Sequence, residues 1–495
     1  MNLRRSNGVL LLGLGLVVAL LFRSGLASGN LVLKVQHRYG GLGHGRRSTL
    51  TAFKAHDVQR HRRKLAALDF PLGGDGRVTG SGLYYTKLAI GTPPRNFYVQ
   101  VDTGSDILWV NCAGCDNCPK KSSLGIELAV YDLNDSKSGK QVTCDQDVCA
   151  LMYNNQYSAC KDPKPCEYSI TYADKSTMSG FFVTDTIRFD QVTGNLQTHP
   201  NANGIVSFGC SVKQSGTQDT STDRVSGIVG FGQANSSIIS QLAESGKVKK
   251  TFSHCLDAKN GGGIFVIGQV VDPMVNSTAL VADDGDDLLE HYNVMMKKAE
   301  IEGEIFDIPT ESFFDTGRKT VIDSGATLAY FPAEVYDLIM EKVTARQSNF
   351  KTHIVEQQLK CFYFNGNIDD GFPTITFHFA GSVSMPVLPH EYFVHLQDNE
   401  WCIGFQRGGL QTQDGQELIL LGDTILSNKL VVYDLENQKI GWTRYNCSSS
   451  IKVKDEVSGN VNSVNSPDIS SAFALNTGKV LAALMFVATL AIQFY

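Results

Sequence analysis

At 495 residues, 42% of them hydrophobic and 19% charged, the chain is too long for one ordinary domain and too apolar for a disordered polypeptide. The net charge of -6 is unevenly spread: residues 28–80 carry 10 Lys/Arg against 3 Asp/Glu, about +7, and residues 81–495 carry 31 against 47, about -16. So acidic a body repels phosphate and excludes nucleic acid as the partner.

In chain order, a targeting signal comes first. Arg4 and Arg5 precede an apolar run over residues 8–22, and Ala27 offers a small residue for cleavage, so residues 1–27 read as a secretory signal. The run is short for a membrane span. Residues 28–80 read as a basic propeptide. Its Arg46-Arg47 and Arg60-His61-Arg62-Arg63-Lys64 clusters are suited to dock on the acidic body at neutral pH and to release as carboxylates protonate. Arg62-Arg63-Lys64 also suits a processing protease.

Leu83-Tyr84-Tyr85-Thr86-Lys87-Leu88-Ala89-Ile90 is a β-forming run stopped by Gly91-Thr92-Pro93-Pro94, and Phe97-Tyr98-Val99-Gln100-Val101 resumes it. Similar runs recur, as in Thr374-Ile375-Thr376-Phe377-His378-Phe379, and helical periodicity is scarce, clearest over residues 332–343 behind Pro332. The predicted class is mostly β.

An internal repeat sets the predicted architecture. Val101-Asp102-Thr103-Gly104 is echoed by Ile322-Asp323-Ser324-Gly325, and each is followed by two apolar residues and glycine, Ile228-Val229-Gly230 and Leu420-Leu421-Gly422. The duplication implies two related lobes, residues 81–280 and 281–447, joined through the Gly/Asp-rich stretch 272–287. Two Asp loops have a chemical use. Paired carboxyl groups cannot both ionise, so they share one proton and supply a base for water and an acid for a peptide carbonyl. Gly104 and Gly325 leave room for the opposite carboxylate, and Thr103 and Ser324 offer hydroxyls to cross-link the loops. No metal or other cofactor is needed.

All 12 cysteines follow residue 111: Cys112, Cys115, Cys118, Cys144, Cys149, Cys160, Cys166, Cys210, Cys255, Cys361, Cys402 and Cys447. An even number in a secreted chain predicts up to six disulfides. The alternative, a metal site at Cys112-x2-Cys115-x2-Cys118, has no matching histidine cluster. Asn134, Asn235, Asn276 and Asn446 each head a glycosylation sequon. Residues 448–479 read as a stalk and spacer. Residues 480–495 are an apolar tail with no Lys or Arg after Lys479, which suits a removed glycosylphosphatidylinositol signal with lipid attached at Ser470 or Ser471.

These motifs resemble the pepsin-type aspartic protease family and, more closely, its atypical plant branch, over residues 82–447. The matching stretches are Asp102-Thr103-Gly104-Ser105-Asp106-Ile107-Leu108-Trp109-Val110 and Asp323-Ser324-Gly325-Ala326-Thr327. The resemblance implies a bilobal fold with a cleft between the lobes and a catalytic pair Asp102/Asp323. It further implies a flap hairpin at Tyr168-Ser169-Ile170-Thr171-Tyr172-Ala173-Asp174, in which the Tyr172 hydroxyl bonds Trp109. Ser105, Thr327 and both loop glycines then line the cleft. The segment 112–166 resembles the branch's disulfide-rich insert, and Cys361 and Cys402 its second-lobe pair. Two departures stand out. Ala173 replaces the usual flap glycine. Ala326 supplies no hydroxyl where Ser105 supplies one in the first copy, so the dyad is expected to titrate high and Ala326→Ser to lower the acidic limb of activity. The implied protein is a monomeric endopeptidase acting on proteins or peptides at acidic pH, held by lipid on the outer plasma membrane. A binding protein that kept the fold and lost catalysis is the competing class, and the intact Asp pair argues against it.

Overall fold

The computed structural model describes residues 66–75, 82–116, 118–153, 164–172, 175–215, 224–281, 291–309, 317–347, 351–355, 359–408, 417–455 and 458–466. They form a mostly β protein. The first lobe contributes β1 (Leu68–Asp75), β2 (Leu83–Ile90), β3 (Arg95–Asp102), β4 (Trp109–Asp116), β5 (Glu167–Thr171), β6 (Thr177–Gly194), β7 (Gln197–Ser215), β8 (Gly227–Gly230), β9 (Thr251–Leu256) and β10 (Gly263–Ile267). The second adds β11 (Asn276–Ala279), β12 (Asn293–Ile301), β13 (Arg318–Ile322), β14 (Ile375–Phe379), β15 (Ile419–Leu421), β16 (Lys429–Asp434) and β17 (Lys439–Arg444).

The duplication appears as the same strand pairing in both copies. β3 runs parallel to β8, with Asp102 opposite Gly230, and β13 runs parallel to β15, with Ile322 opposite Leu421. Each aspartate therefore stands at the end of a buried apolar strand, where the chain must turn. The halves meet where β9 pairs antiparallel with β16, so one large sheet runs from β17 through β16, β9 and β10 into β1, β2 and β3. Phe70, Phe231, Phe252 and Phe265 pack against one another in the core. The helix α1 (Ala333–Thr344) buries Val335, Tyr336, Ile339, Met340 and Val343 along one face, the spacing its period dictates.

Two segments that the sequence reading set outside the protease lobes form strands packed on them. β1 lies inside the expected propeptide 28–80, yet it is paired with β10 on one side and β2 on the other, and Leu68, Phe70 and Leu72 are buried. Its alternating apolar residues complete the sheet, so the end of the expected propeptide is built into the folded body. Likewise the expected stalk contains the hairpin β18 (Ile451–Lys454) and β19 (Val461–Val464), docked on Gln269–Val270 with Ile451, Val453 and Val464 buried. The presumed linker 272–287 also holds a strand, because β11 pairs with β17. Residues 1–27, Ser470, Ser471 and the tail 480–495 lie outside the described residues.

Disulfides join Cys112–Cys210, Cys115–Cys118, Cys149–Cys166, Cys255–Cys447 and Cys361–Cys402, and Cys144 is also disulfide-bonded. Cys160 lies outside the described residues. Asn134, Asn235, Asn276 and Asn446 are all exposed.

Candidate active site

The two Asp loops face each other. A Cβ added to Gly104 would sit 2.5 Å from Asp323 Oδ2, and one added to Gly325 would sit 2.1 Å from Asp102 Oδ1. Each loop thus needs glycine because the opposite carboxylate occupies that space. Within its own loop, Gly104 N–H donates to Asp102 Oδ1 at 2.8 Å and Gly325 N–H to Asp323 Oδ1 at 2.7 Å. The two carboxyl groups are within hydrogen-bond range of one another.

The hydroxyls after each aspartate bind the loops across the two-fold. Ser324 N–H donates to Thr103 Oγ1 at 2.9 Å, Thr103 Oγ1–H to Ile322 O at 3.4 Å, and Ser324 Oγ–H to Val101 O at 3.3 Å. Gln100 Nε2 donates to Gly325 O at 3.1 Å, and Thr327 Oγ1 donates to Gly82 O. These crossings, each between a side chain of one segment and the backbone of another, tie the two loops together.

Their electrostatics are unequal. Burial raises Asp102, but the Ser105 hydroxyl, Gly104 N–H and a hydrogen bond from Asp323 pull it back. Asp323 opens partly to the cleft and has no bonded hydroxyl among the described residues. Burial first, then the negative charge of Asp102, pushes it up to about 8. The pair therefore favours one shared proton, with Asp323, the more strongly raised of the two, as its holder.

The hairpin β5–β6 carries Tyr172 at its tip, where Tyr172 N–H donates to Ser176 O and Lys175 N–H to Tyr172 O, each at 2.9 Å. Trp109 Nε1–H donates to the Tyr172 hydroxyl at 2.7 Å. Trp109 packs with Cys149, Cys166, Tyr168, Phe182 and Ile228, so the Cys149–Cys166 disulfide braces the root of the hairpin. Ala173 lies outside the described residues.

Sequence reasoning missed a further buried carboxyl, Asp423. It follows Leu420-Leu421-Gly422, where the first copy has Phe231 after Gly230, and that asymmetry was the available signal. Asp423 N–H donates to Ala326 O at 2.8 Å, while burial, then Asp323 and Asp102, hold its carboxyl well above the usual range. His254, Tyr292 and Tyr433 beneath the loops were missed because, alone in a sequence, they read as core aromatics.

Residues 84–269 match the family described as xylanase inhibitor N-terminal, and residues 291–444 the one described as xylanase inhibitor C-terminal. The chain is 48% identical over 431 residues to aspartic proteinase 36 of Arabidopsis thaliana, covering 87% of each chain. It is 47% identical over 446 residues to aspartic proteinase 39 of the same plant, covering 90% of each. Among solved structures it resembles conglutin gamma, a basic 7S globulin from lupine seeds, at TM-score 0.60 and 19% identity, covering 77% of this chain and 95% of that one. The soybean basic 7S globulin gives TM-score 0.57 at 21% identity, with 77% and 96% covered. At such identities these structures share the fold.

Proposed function

The chain belongs to the pepsin-like aspartic proteinases of plants and is an aspartic endopeptidase, and from that premise we propose that Asp102 and Asp323 are its catalytic dyad. The observation that carries this reading is the reciprocal fit of Gly104 against Asp323 and Gly325 against Asp102, which brings two carboxyls within hydrogen-bond range of each other.

The unequal environments support a division of roles. Ionised Asp102 accepts a proton from water lying between the carboxyls as that water attacks the scissile carbonyl carbon. Asp323 gives its proton to the carbonyl oxygen, and a tetrahedral diol forms. The proton taken by Asp102 then passes to the amide nitrogen, the C–N bond breaks, one of the diol's two hydroxyl protons returns to Asp323, and the other leaves with the product carboxylic acid. Below the range in which Asp102 ionises there is no base, and above about 8 Asp323 has no proton to give, so activity falls away beyond these two limits.

An extended protein or peptide substrate lies across the cleft under the Tyr172 hairpin, held by strand-like backbone bonds and side-chain pockets. The signal-like residues 1–27, the disulfides, the four exposed sequons and the apolar tail support a secreted monomer tethered by lipid at Ser470 or Ser471 to the outer plasma membrane. The basic segment before β1 supports a zymogen cut ahead of residue 66. The test is cleavage of a denatured general protein substrate across pH 3–7 by the purified secreted chain, beside Asp102→Asn. Activity blocked by a pepstatin-type inhibitor and absent from Asp102→Asn is the expected result. A folded but inactive wild type would turn the reading toward a binding protein.

A further inference from the structure

The hairpin β18–β19 covers one face of the sheet in which the two halves of the molecule join. Along β9, β10 and β16 the buried side chains alternate. Phe252, Phe265 and Tyr433 turn into the main core, whereas Cys255, Ile264, Val266 and Leu430 turn the other way and pack with Ile451, Val453 and Val464. On the core side the path to the dyad is short. Phe231, packed on Phe252 and Phe265, donates its N–H to Asp102 O at 2.7 Å. Tyr292 Oη–H donates to Phe231 O at 2.6 Å, and Ile322 N–H, one residue before Asp323, donates to Tyr292 O at 3.1 Å. The hairpin and the two carboxyls therefore lie on opposite sides of the joining sheet. At about 10 Å for each packed layer, roughly 20 Å separates them.

The outward side of the hairpin displays apolar side chains to solvent. Its segments bond in the order 269–271, β18, β19 and the turn between β6 and β7. Val271 N–H donates to Lys452 O at 2.9 Å, β18 pairs with β19, and Leu196 N–H donates to Ser463 O at 2.7 Å. Among the described residues nine large apolar side chains are exposed. Four of them, Leu196, Val271, Met274 and Val461, stand on these segments or in the turn after Val271, at 39–68% exposure. Lys452 and Lys454 share the outward face, because Ile451 and Val453 alternate with them and point inward. Leu196 is the second residue of the two-residue turn Asn195-Leu196, with φ of 55°, a conformation that favours glycine. A bulky apolar side chain held in water at such a position points to a contact beyond the fold.

We propose that this patch rests on the bilayer to which the chain is tethered and holds the active-site cleft facing away from the membrane. The inference rests on the lipid anchor proposed above. β19 ends at Val464, six or seven residues before Ser470 and Ser471, so the attachment point lies within about 25 Å of the hairpin even at full extension. The hairpin is fixed to the body by Ile451, Val453 and Val464 and by the Cys255–Cys447 disulfide just ahead of it. Lipid and patch thus meet the membrane at one edge of the molecule, the two contacts that stable docking takes. Lys452 and Lys454 can lay their stems along the interface with their ammonium groups among lipid phosphates. So held, the dyad stands roughly 20 Å above the headgroups. Its substrates are then soluble proteins, or segments projecting to that height, rather than chain lying close to the bilayer.

The experiment inserts the full chain, purified from cells with its lipid, into phosphatidylcholine vesicles doped with a photoactivatable phosphatidylcholine. Cross-linked peptides mapped by mass spectrometry should fall within 194–197, 271–275, 451–455 and 458–464. Cross-links spread over the body, or centred on the Tyr172 hairpin, overturn the proposal. A second arm strips the lipid with a phospholipase and measures binding to plain phosphatidylcholine vesicles for wild type and Leu196→Gly/Met274→Ser/Val461→Ser. The variant changes exposed positions only, so its hydrolysis of a soluble peptide should stay within about twofold of wild type. Each half-exposed apolar side chain is worth roughly three- to fivefold in partition, so the variant should bind about 30- to 100-fold more weakly. Equal affinities overturn the patch, as does a wild-type dimer that the variant abolishes, which would assign the patch to a second copy of the chain. The anchored wild type should also cut a soluble protein at least about tenfold faster than the same sequence lipid-linked within about 10 Å of the bilayer. Equal rates overturn the orientation. A wild type that carries no lipid sinks the anchor reading, and the vesicle affinities of the two lipid-free proteins still decide the patch.

Discussion

Replacing Ala326 with serine puts back the hydroxyl that the second Asp loop lacks. Ser105, three residues after Asp102, donates to Asp102 Oδ2, and Ala326 stands three residues after Asp323 in the duplicated loop. The exchange therefore offers Asp323 a donor in the orientation Ser105 already uses. A hydroxyl bonded to a carboxylate is worth ~1.5–3 kcal/mol. At about 1.4 kcal/mol per pH unit, that lowers the proton affinity of Asp323 by about one to two units from its value near 8. The acidic limb, set by Asp102 with its own donors unchanged, should move by less than half as much. The assay is kcat/KM on one peptide across pH 3–9 for both proteins. An alkaline limb that stays put or rises in Ala326→Ser would refute the assignment of the retained proton to Asp323.

Three further outcomes follow from the same geometry. Asp69, buried on β1 across from Asp190, is raised by burial, then by that charge, to about 7 from 3.8. Its raised value means its contribution to stability is whole below about pH 4 and is lost as pH climbs through 7, roughly 4 kcal/mol in all. Asp69→Asn should flatten chemical unfolding curves measured between pH 4 and 8, and parallel curves would count against it. Gly325→Ala puts a Cβ 2.1 Å from Asp102 Oδ1 and 3.0 Å from Asp323 Oδ1, so turnover should fall at least ~100-fold while the circular dichroism spectrum stays native. Tyr172→Phe removes the acceptor for Trp109 Nε1–H and should raise KM roughly three- to tenfold with a smaller effect on kcat, read from steady-state kinetics.

What the sequence disclosed was whatever repeats or alternates. The run Leu83–Ile90 forms the strand its pattern foretold, and both Asp-Thr/Ser-Gly loops end strands paired in parallel with their apolar-apolar-Gly partners. The ends of the body were harder to read. Leu68, Phe70 and Leu72 alternate over only five residues beside a dense basic run, so averaging charge across residues 28–80 hid an interior strand. The hairpin Ile451–Val464 is rich in Ser, Asn and Lys, and only its burial against Ala67, Val192 and the Cys255–Cys447 disulfide shows which residues face inward. Disulfide pairing was equally closed to inspection, since it depends on which strands neighbour each other. The support beneath the site was invisible for a related reason. His254, Tyr433 and Asp423 lie far apart in sequence, and their settings appear only when β9 pairs with β16 and the turn after β15 packs beside Ala326.

The central claim is that Asp102 and Asp323 hold one proton between them, with that proton on Asp323. Neutron diffraction from crystals of the secreted protein grown near pH 5 in deuterated buffer would locate it. The account predicts a single deuterium in the dyad, bonded to an Asp323 oxygen and directed at Asp102. A dyad carrying no deuterium, or one on each carboxyl, would contradict it.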